Sequence, residues 1–288
     1  MEVNMEKTIY SPKNSAAEYS KYACNFYVGC PNLCSYCYLK KGIWAKTLGG
    51  NKVTLKKCFK DEGHAMEVFK KELHANIFEL RKHGLFFSFT TDPMLPGTIS
   101  LTEEAARVCL KSGVPVKILT KRTDWVGAFL FELKMDETVW GIEPHRAFDL
   151  LAFGFTLTGY DRLEPYASSN IERVMAGRRL HGAGFKTFAS IEPIIDFASS
   201  YEMVEFSSDY CDLYKIGLKS GGKYKKVDAR RFLEKIKALP GTHKIYIKKS
   251  LRKLLDIDYP LENLGDNFVG ADYDMFKQTT PFVIVNNL

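Results

Sequence analysis

The sequence predicts an α/β protein built on a largely parallel sheet. Two observations carry that reading. Six short β-branched or aromatic runs alternate with helical patterns, and the clearest unit, from Leu85 to Lys121, reads strand, loop, helix, strand. Parallel neighbours need crossover connections, usually helical, and this alternation supplies them. Such a sheet closes into a barrel or stays open; in either case the active site belongs at the carboxyl ends of the strands.

Taken in order, the strand patterns are 24–28, 85–90, 114–120, 151–157, 185–191 and 212–218, and the helical patterns are 65–82, 101–112, 170–181 and 228–239. In the Leu85–Lys121 unit an apolar strand enters the turn-rich Thr91-Asp92-Pro93. Ser100 and Glu103 then form a capping-box signature, Gly113 ends the helix, and Val114, Val116, Ile118 and Leu119 resume a buried strand. No Gly/Ser or Pro-rich linker and no internal repeat interrupts the chain, so a single compact domain is the simplest partition. The division is an N-terminal extension over 1–22, the barrel over 23–240 and a C-terminal extension over 241–288. The tail after Lys253 is acidic, and Pro281-Phe282-Val283-Ile284-Val285 reads as an edge strand or a lid.

Composition narrows the class. With 288 residues, 45% hydrophobic and 13% aromatic, disorder and a disulfide mini-scaffold are excluded. A chain this long buries roughly 75% of its extended surface, so the core needs no staples. The seven cysteines are odd in number, the Met1 region lacks a signal-peptide pattern, and no apolar run approaches a membrane span. These features predict a soluble cytoplasmic protein with reduced thiols and no membrane partner, and leave its oligomeric state open. The net charge of +7 is uneven: from Lys215 to Lys253 fourteen Lys or Arg face only Asp228 and Glu234, a net of +12, so the remainder nets −5. That block suits nucleic-acid phosphates, with Tyr224 and Tyr246 as stacking faces, or else a solvated lysine face.

Cys30, Cys34 and Cys37 follow the first strand as Gly29-Cys30-Pro31-Asn32-Leu33-Cys34-Ser35-Tyr36-Cys37-Tyr38, a C-x3-C-x2-C spacing. Three readings are open: a zinc site completed by Cys24 or Cys58, one face of a buried helix, or an iron–sulfur loop. Gly29, Pro31 and Asn32 favour a loop, and three thiolates suit a [4Fe–4S] cluster with one iron lacking a protein ligand. The motif resembles the signature of the radical S-adenosylmethionine (SAM) superfamily. Together with Thr90-Thr91-Asp92-Pro93 and Ile118-Leu119-Thr120-Lys121, it resembles that superfamily's spore photoproduct lyase-like branch.

The resemblance implies a partial (β/α)6 barrel with short terminal extensions, a [4Fe–4S] cluster on Cys30, Cys34 and Cys37, and SAM as cofactor. The reduced cluster cleaves SAM to a 5′-deoxyadenosyl radical that abstracts a substrate hydrogen, so an electron donor such as flavodoxin or ferredoxin is implied. It also assigns Thr91 and Asp92 to the methionyl amino group, with ordinary turn chemistry, Asp92 accepting from the backbone ahead, as the alternative; Lys121 to the carboxylate, with a solvent-facing strand end as the alternative; and Thr156, or Thr158 on the same strand face, to the ribose. Glu192 is either a pocket carboxylate or a turn residue. Tyr36 belongs beside the adenosyl group, and Tyr36 and Tyr38 to a hydrogen-transfer relay, with packing as the alternative for Tyr38. Gly221-Gly222 is a weak ligand-approach signal. The lyase carries a hydrogen-donor cysteine just before its Thr-Ser-Asp-like turn; Phe89 stands there in this chain, which argues against thymine-dimer reversal. The expected substrate is a nucleic acid or nucleotide. A peptide or small metabolite is the alternative, and a non-catalytic zinc or iron–sulfur module is the second.

Overall fold

The computed structural model describes residues 7–42 and 45–277. The strands are β1 (Ile9–Tyr10), β2 (Ala23–Cys24), β3 (Tyr27–Val28), β4 (Thr54–Leu55), β5 (Leu85–Phe87), β6 (Val116–Thr120), β7 (Leu151–Thr156), β8 (Lys186–Ile194), β9 (Leu213–Leu218) and β10 (Lys244–Ile247). The helices are α1 (Ala45–Leu48), α2 (Glu62–Ala75), α3 (Ile77–His83), α4 (Ile99–Lys111), α5 (Val126–Asp136), α6 (Pro144–Leu150), α7 (Asn170–Gly182), α8 (Phe197–Ser207), α9 (Lys226–Lys237) and α10 (Lys249–Leu255). Eight strands form one sheet in the order β1-β2-β5-β6-β7-β8-β9-β10. Every pair is parallel except β1 with β2. The sheet remains open, a partial barrel with helical crossovers, as the alternation of patterns predicts. No helix of the described residues is long and apolar enough to cross a membrane.

Three local readings change. The first predicted strand is two, because Asn25 leaves the ladder. Its side-chain oxygen accepts the Phe89 N–H at 2.8 Å and its amide donates to Tyr10 at 2.7 Å. Thereafter β3 pairs antiparallel with β4 in a separate ribbon. The helix expected over 65–82 breaks at Asn76, whose side-chain amide donates to the Glu72 carbonyl at 2.8 Å in competition with helix continuation. Ser100 and Glu103 make no capping box: α4 begins earlier, after Thr98, whose hydroxyl accepts from Leu95 N–H at 3.1 Å and donates to the Asp92 carbonyl at 3.0 Å. The reciprocal box is at α7, between Ser169 and Glu172.

Strand β10, within the stretch read as a C-terminal extension, adds a seventh parallel strand. Its Lys-Ile-Tyr-Ile sequence was obscured by the surrounding lysines. Helices α1, α5, α6, α8 and α10 are likewise additions to the predicted set. The Pro281–Val285 segment lies outside the described residues.

On the helical side of β7, Phe153 meets Trp125 at 5.1 Å, Phe129 at 5.4 Å and Phe185 at 5.3 Å between ring centroids. Each such ring contributes roughly 1.5–3 kcal/mol by leaving water, and together they hold the crossovers against the sheet. The opposite face of the sheet lines the barrel interior, where alternate residues of each strand point.

Candidate functional site

The three cysteines occupy the loop after β3, at the carboxyl end of the sheet. Gly29 allows the chain to enter that loop: its φ is +81°, and a Cβ there would stand 2.2 Å from the Lys52 carbonyl oxygen. Cys30 then donates its N–H to the Gly50 carbonyl at 2.9 Å, and Cys37 to that of Cys34 at 3.1 Å. All three thiols are free. The segment is a loop, so the buried-helix alternative falls. Cys24 does not join it; its electrostatic neighbours are Cys109, Lys56 and Glu72.

The turn after β5 ties the loop down. Thr90 donates its hydroxyl to the Tyr27 carbonyl at 2.5 Å, and Thr91 donates to that of Gly29 at 2.6 Å. Buried Asp92 accepts four hydrogen bonds: from Thr120 Oγ1 at 2.6 Å and Met94 N–H at 3.1 Å on one oxygen, from Lys121 N–H at 2.8 Å and Asn32 Nδ2 at 3.0 Å on the other. Asn32 lies between Cys30 and Cys34. Asp92 therefore joins the cysteine loop to the end of β6, and its bond from Met94 N–H is the turn contact read as its alternative role.

A second anchor comes from the β7–α7 connection. Tyr36 donates its hydroxyl to Glu164, and Glu164 pairs with Arg173 at 2.6 Å, both side chains fully buried. Arg173 also donates to the Thr156 carbonyl at 2.8 Å and to that of Ser168 at 2.8 Å. Burial and the Glu164 carboxylate raise the Tyr36 phenol well above an ordinary tyrosine, so it stays a hydrogen-bond donor. Asn32, Thr120, Glu164 and Arg173 are thus site-building residues beyond those predicted. Asn32 was legible within the motif; Arg173, inside an ordinary helical pattern, was not.

Lys121 directly follows β6, with its ammonium 5.7 Å from the centre of the Tyr36 ring. Among the described residues it makes no hydrogen bond or salt bridge through that ammonium. Burial opposes its charge, but Cys34, Glu164 and Asp92 outweigh that and raise its pKa. Burial pushes the Cys30 thiol up to about 11 and raises that of Cys34. Thr156 is buried at the end of β7, whereas the Thr158 hydroxyl accepts Tyr160 N–H at 3.2 Å in the turn beyond. Tyr38, half exposed, donates to the Phe89 carbonyl, and Phe89 stacks on Phe86 at 4.5 Å.

Glu192 belongs to a different cluster. Its carboxylate accepts from Tyr19 at 2.9 Å and pairs with Lys248. The close approach at Gly222 is made by the Tyr224 ring, 2.5 Å from where a Cβ would stand, so that glycine serves packing, whereas Gly221 takes a φ of +73° with open space beside it.

No group of three or more His, Cys, Asp or Glu side chains among the described residues is placed to hold a single metal ion. The donor chemistry fits an iron–sulfur cubane, whose cysteines each ligate a separate iron. Three free thiols on one loop, tethered by Asp92 and Tyr36, are donors of the type such a cluster takes.

No protein-family model matches the chain, and no curated protein matches it. Among solved structures, a spore photoproduct lyase variant with bound AdoMet and dinucleoside spore photoproduct superposes with a TM-score of 0.52 at 14% identity, over 84% of this chain and 66% of that one. Another variant of that lyase, with dinucleoside spore photoproduct, gives 0.51 at 17% identity, over 81% and 64%. The chain spans just under two thirds of the lyase's length. At such identities the likeness is one of fold: this chain has the α/β partial-barrel fold of spore photoproduct lyase.

Proposed function

We propose that the chain is a radical SAM enzyme acting on an anionic substrate at the barrel mouth. The observation that carries this reading is the Cys30–Cys34–Cys37 loop at the carboxyl end of a parallel sheet, with the Lys121 ammonium beside Cys34 and available to an anion. When bound and reduced by one electron, the cluster and SAM supply a 5′-deoxyadenosyl radical that takes a hydrogen atom from the substrate. The chain's own contribution is binding and orientation. Cys30, Cys34 and Cys37 hold three irons, and Lys121 meets the SAM carboxylate by a charge-assisted contact. Asp92 and Thr91 keep the loop in register and complete the floor for the amino group, Thr156 faces the ribose, and Tyr36 flanks the adenosyl group. Phe89 and Tyr38 line the approach from the cysteine loop to the barrel interior. A flavodoxin- or ferredoxin-like donor supplies the electron.

For the substrate, the outward part of the basic block supports a nucleic acid or nucleotide, since Lys223, Lys225, Arg230, Arg231 and Lys235 are exposed on and before α9. Lys215, Lys248 and Tyr246 are buried, however, and do not contribute to that surface. Their position inside the barrel favours a second reading, a small anionic metabolite.

Anaerobic reconstitution tests the class. The chain should take up about four iron and four sulfide, and dithionite with SAM should yield 5′-deoxyadenosine. Replacing Cys30, Cys34 or Cys37 by Ala should abolish that product. Uptake of zinc alone, with no 5′-deoxyadenosine, would refute the reading.

A further inference from the structure

Two lysines of the basic block turn inward. Lys215 on β9 is 7% exposed and Lys248, directly after β10, is 1% exposed. A buried ammonium is tolerated only with hydrogen bonds and a compensating charge, and here one residue of the N-terminal segment supplies much of both. The Glu18 carbonyl accepts from Lys215, and the Glu18 carboxylate lies 3.8 Å from the Lys248 ammonium. The same carboxylate accepts from Tyr246 Oη at 3.0 Å and from Lys249 N–H at 2.8 Å. Lys248 also donates to the Ser15 carbonyl at 3.0 Å and pairs with Glu192. Gly217 makes room: a Cβ there would stand 2.8 Å from Glu192 Oε1 and 3.0 Å from Lys248 Cδ.

The cluster adjoins the cysteine loop. Tyr19, next to Glu18, carries Lys248 over its ring at 4.3 Å and meets Phe89 at 6.0 Å between centroids; the Phe89 carbonyl accepts from Tyr38, the residue after Cys37. The donor set is the decisive point. Lys248 faces two carboxylates, Glu18 from the N-terminal segment and Glu192 from the barrel wall, while burial and the nearby Lys117 and Lys248 ammoniums push the Lys215 pKa well down, so Lys215 adds little charge to the cluster. Withdrawal of the Glu18 carboxylate leaves three donors without their acceptor: the Lys248 ammonium, the Tyr246 hydroxyl and the Lys249 N–H.

We propose that Tyr246, Lys248 and the Lys249 N–H form an oxyanion subsite inside the barrel, that this subsite receives a carboxylate or phosphate group of the substrate, and that the Glu18 carboxylate occupies it until the substrate takes its place. This deepens the reading of the barrel as the reaction chamber, and rests on that reading only for calling the ligand a substrate. The subsite itself requires neither cluster nor SAM.

Lysine acylation read by mass spectrometry on the full-length chain tests it without turnover. In wild type, Lys248 should label far more slowly than exposed Lys225. In Glu18→Gln its labelling should rise roughly tenfold or more, the factor expected for losing one charge-assisted contact. Millimolar acetate or inorganic phosphate, against chloride at equal ionic strength, should restore protection. Stronger protection by acetate identifies a carboxylate substrate, and by phosphate a phosphorylated one. Labelling unchanged in Glu18→Gln, or protection by chloride equal to that by both oxyanions, would overturn the proposal. Should Glu18→Gln fail to fold, Glu18→Asp, which keeps the charge but withdraws it by one methylene, carries the same comparison. Failure of this test with 5′-deoxyadenosine still formed would refute the subsite and leave the enzyme class standing; the converse result would do the reverse.

Discussion

Two neighbouring residues illustrate how burial divides structural from functional roles. Asp92 spends both carboxylate oxygens on donors from its own chain, whereas the Lys121 ammonium spends none of its hydrogens. Asp92→Ala would leave buried donors on Asn32, Thr120 and two backbone amides unmatched. Chemical denaturation should show a loss of ~2–3 kcal/mol, since an orphaned buried polar group costs ~1–3 kcal/mol and the site relaxes only in part. Lys121→Ala should leave the denaturation midpoint nearly unchanged while weakening SAM binding roughly ten- to a hundredfold, the range for losing a charge-assisted partner. Calorimetry showing equal SAM affinity would remove Lys121 from the cofactor site.

At the scale of elements, α7 does more than cross over between β7 and β8. Through Arg173 it holds Glu164, and through Glu164 it holds Tyr36 of the cysteine loop. Breaking a buried pair from one side is costly because the remaining charge is uncompensated, so Arg173→Met should destabilise the fold by ~3–5 kcal/mol. Replacing both Arg173 and Glu164 by Met should recover much of that stability while leaving Tyr36 without its acceptor. Recovery of stability without recovery of cluster binding would separate the two roles.

Helix α4 offers a pH test. Burial, aided by the nearby Glu132 carboxylate, lifts Glu103 to about 7 from an unfolded value of 4.5. The folded state therefore prefers the protonated form. The stability associated with it is complete below pH 4.5 and is lost as the pH rises through 7. Glu103→Gln, a permanent mimic of that form, should raise the melting temperature at pH 8 and leave it unchanged at pH 4. An equal effect at both pH values would contradict a titrating Glu103.

For the whole molecule, the basic block is two features that happen to be contiguous in sequence. Its outward part, on and before α9, is the surface to which a nucleic-acid substrate is proposed to bind; its inward part, Lys215 and Lys248, belongs to the barrel. Charge reversal at Lys225 and Arg230 should weaken oligonucleotide binding and flatten its salt dependence, each lost phosphate contact reducing the log–log slope by about 0.9 on duplex or 0.7 on single strands. Reversal at Lys248 should instead damage the fold. Salt-independent binding that ignores the Lys225 and Arg230 reversals would count against a nucleic-acid substrate.

The parallel α/β architecture was legible in the sequence because apolar strand runs and amphipathic helical runs carry different periods, and each run is local. The cysteine loop was legible for the same reason: three thiols within eight residues need no tertiary contact to be recognised as a set, and Gly29, Pro31 and Asn32 mark the loop. Tertiary structure decided everything that joins distant segments. Asp92 meets Asn32 across sixty positions, Tyr36 meets Glu164 across 128, and Lys248 meets Glu192 across 56. It also decided which lysines face water. Charge in a sequence has no direction, and only the alternation of a strand in its sheet turns Lys215 into the barrel, while α9 holds Arg230 and Arg231 out.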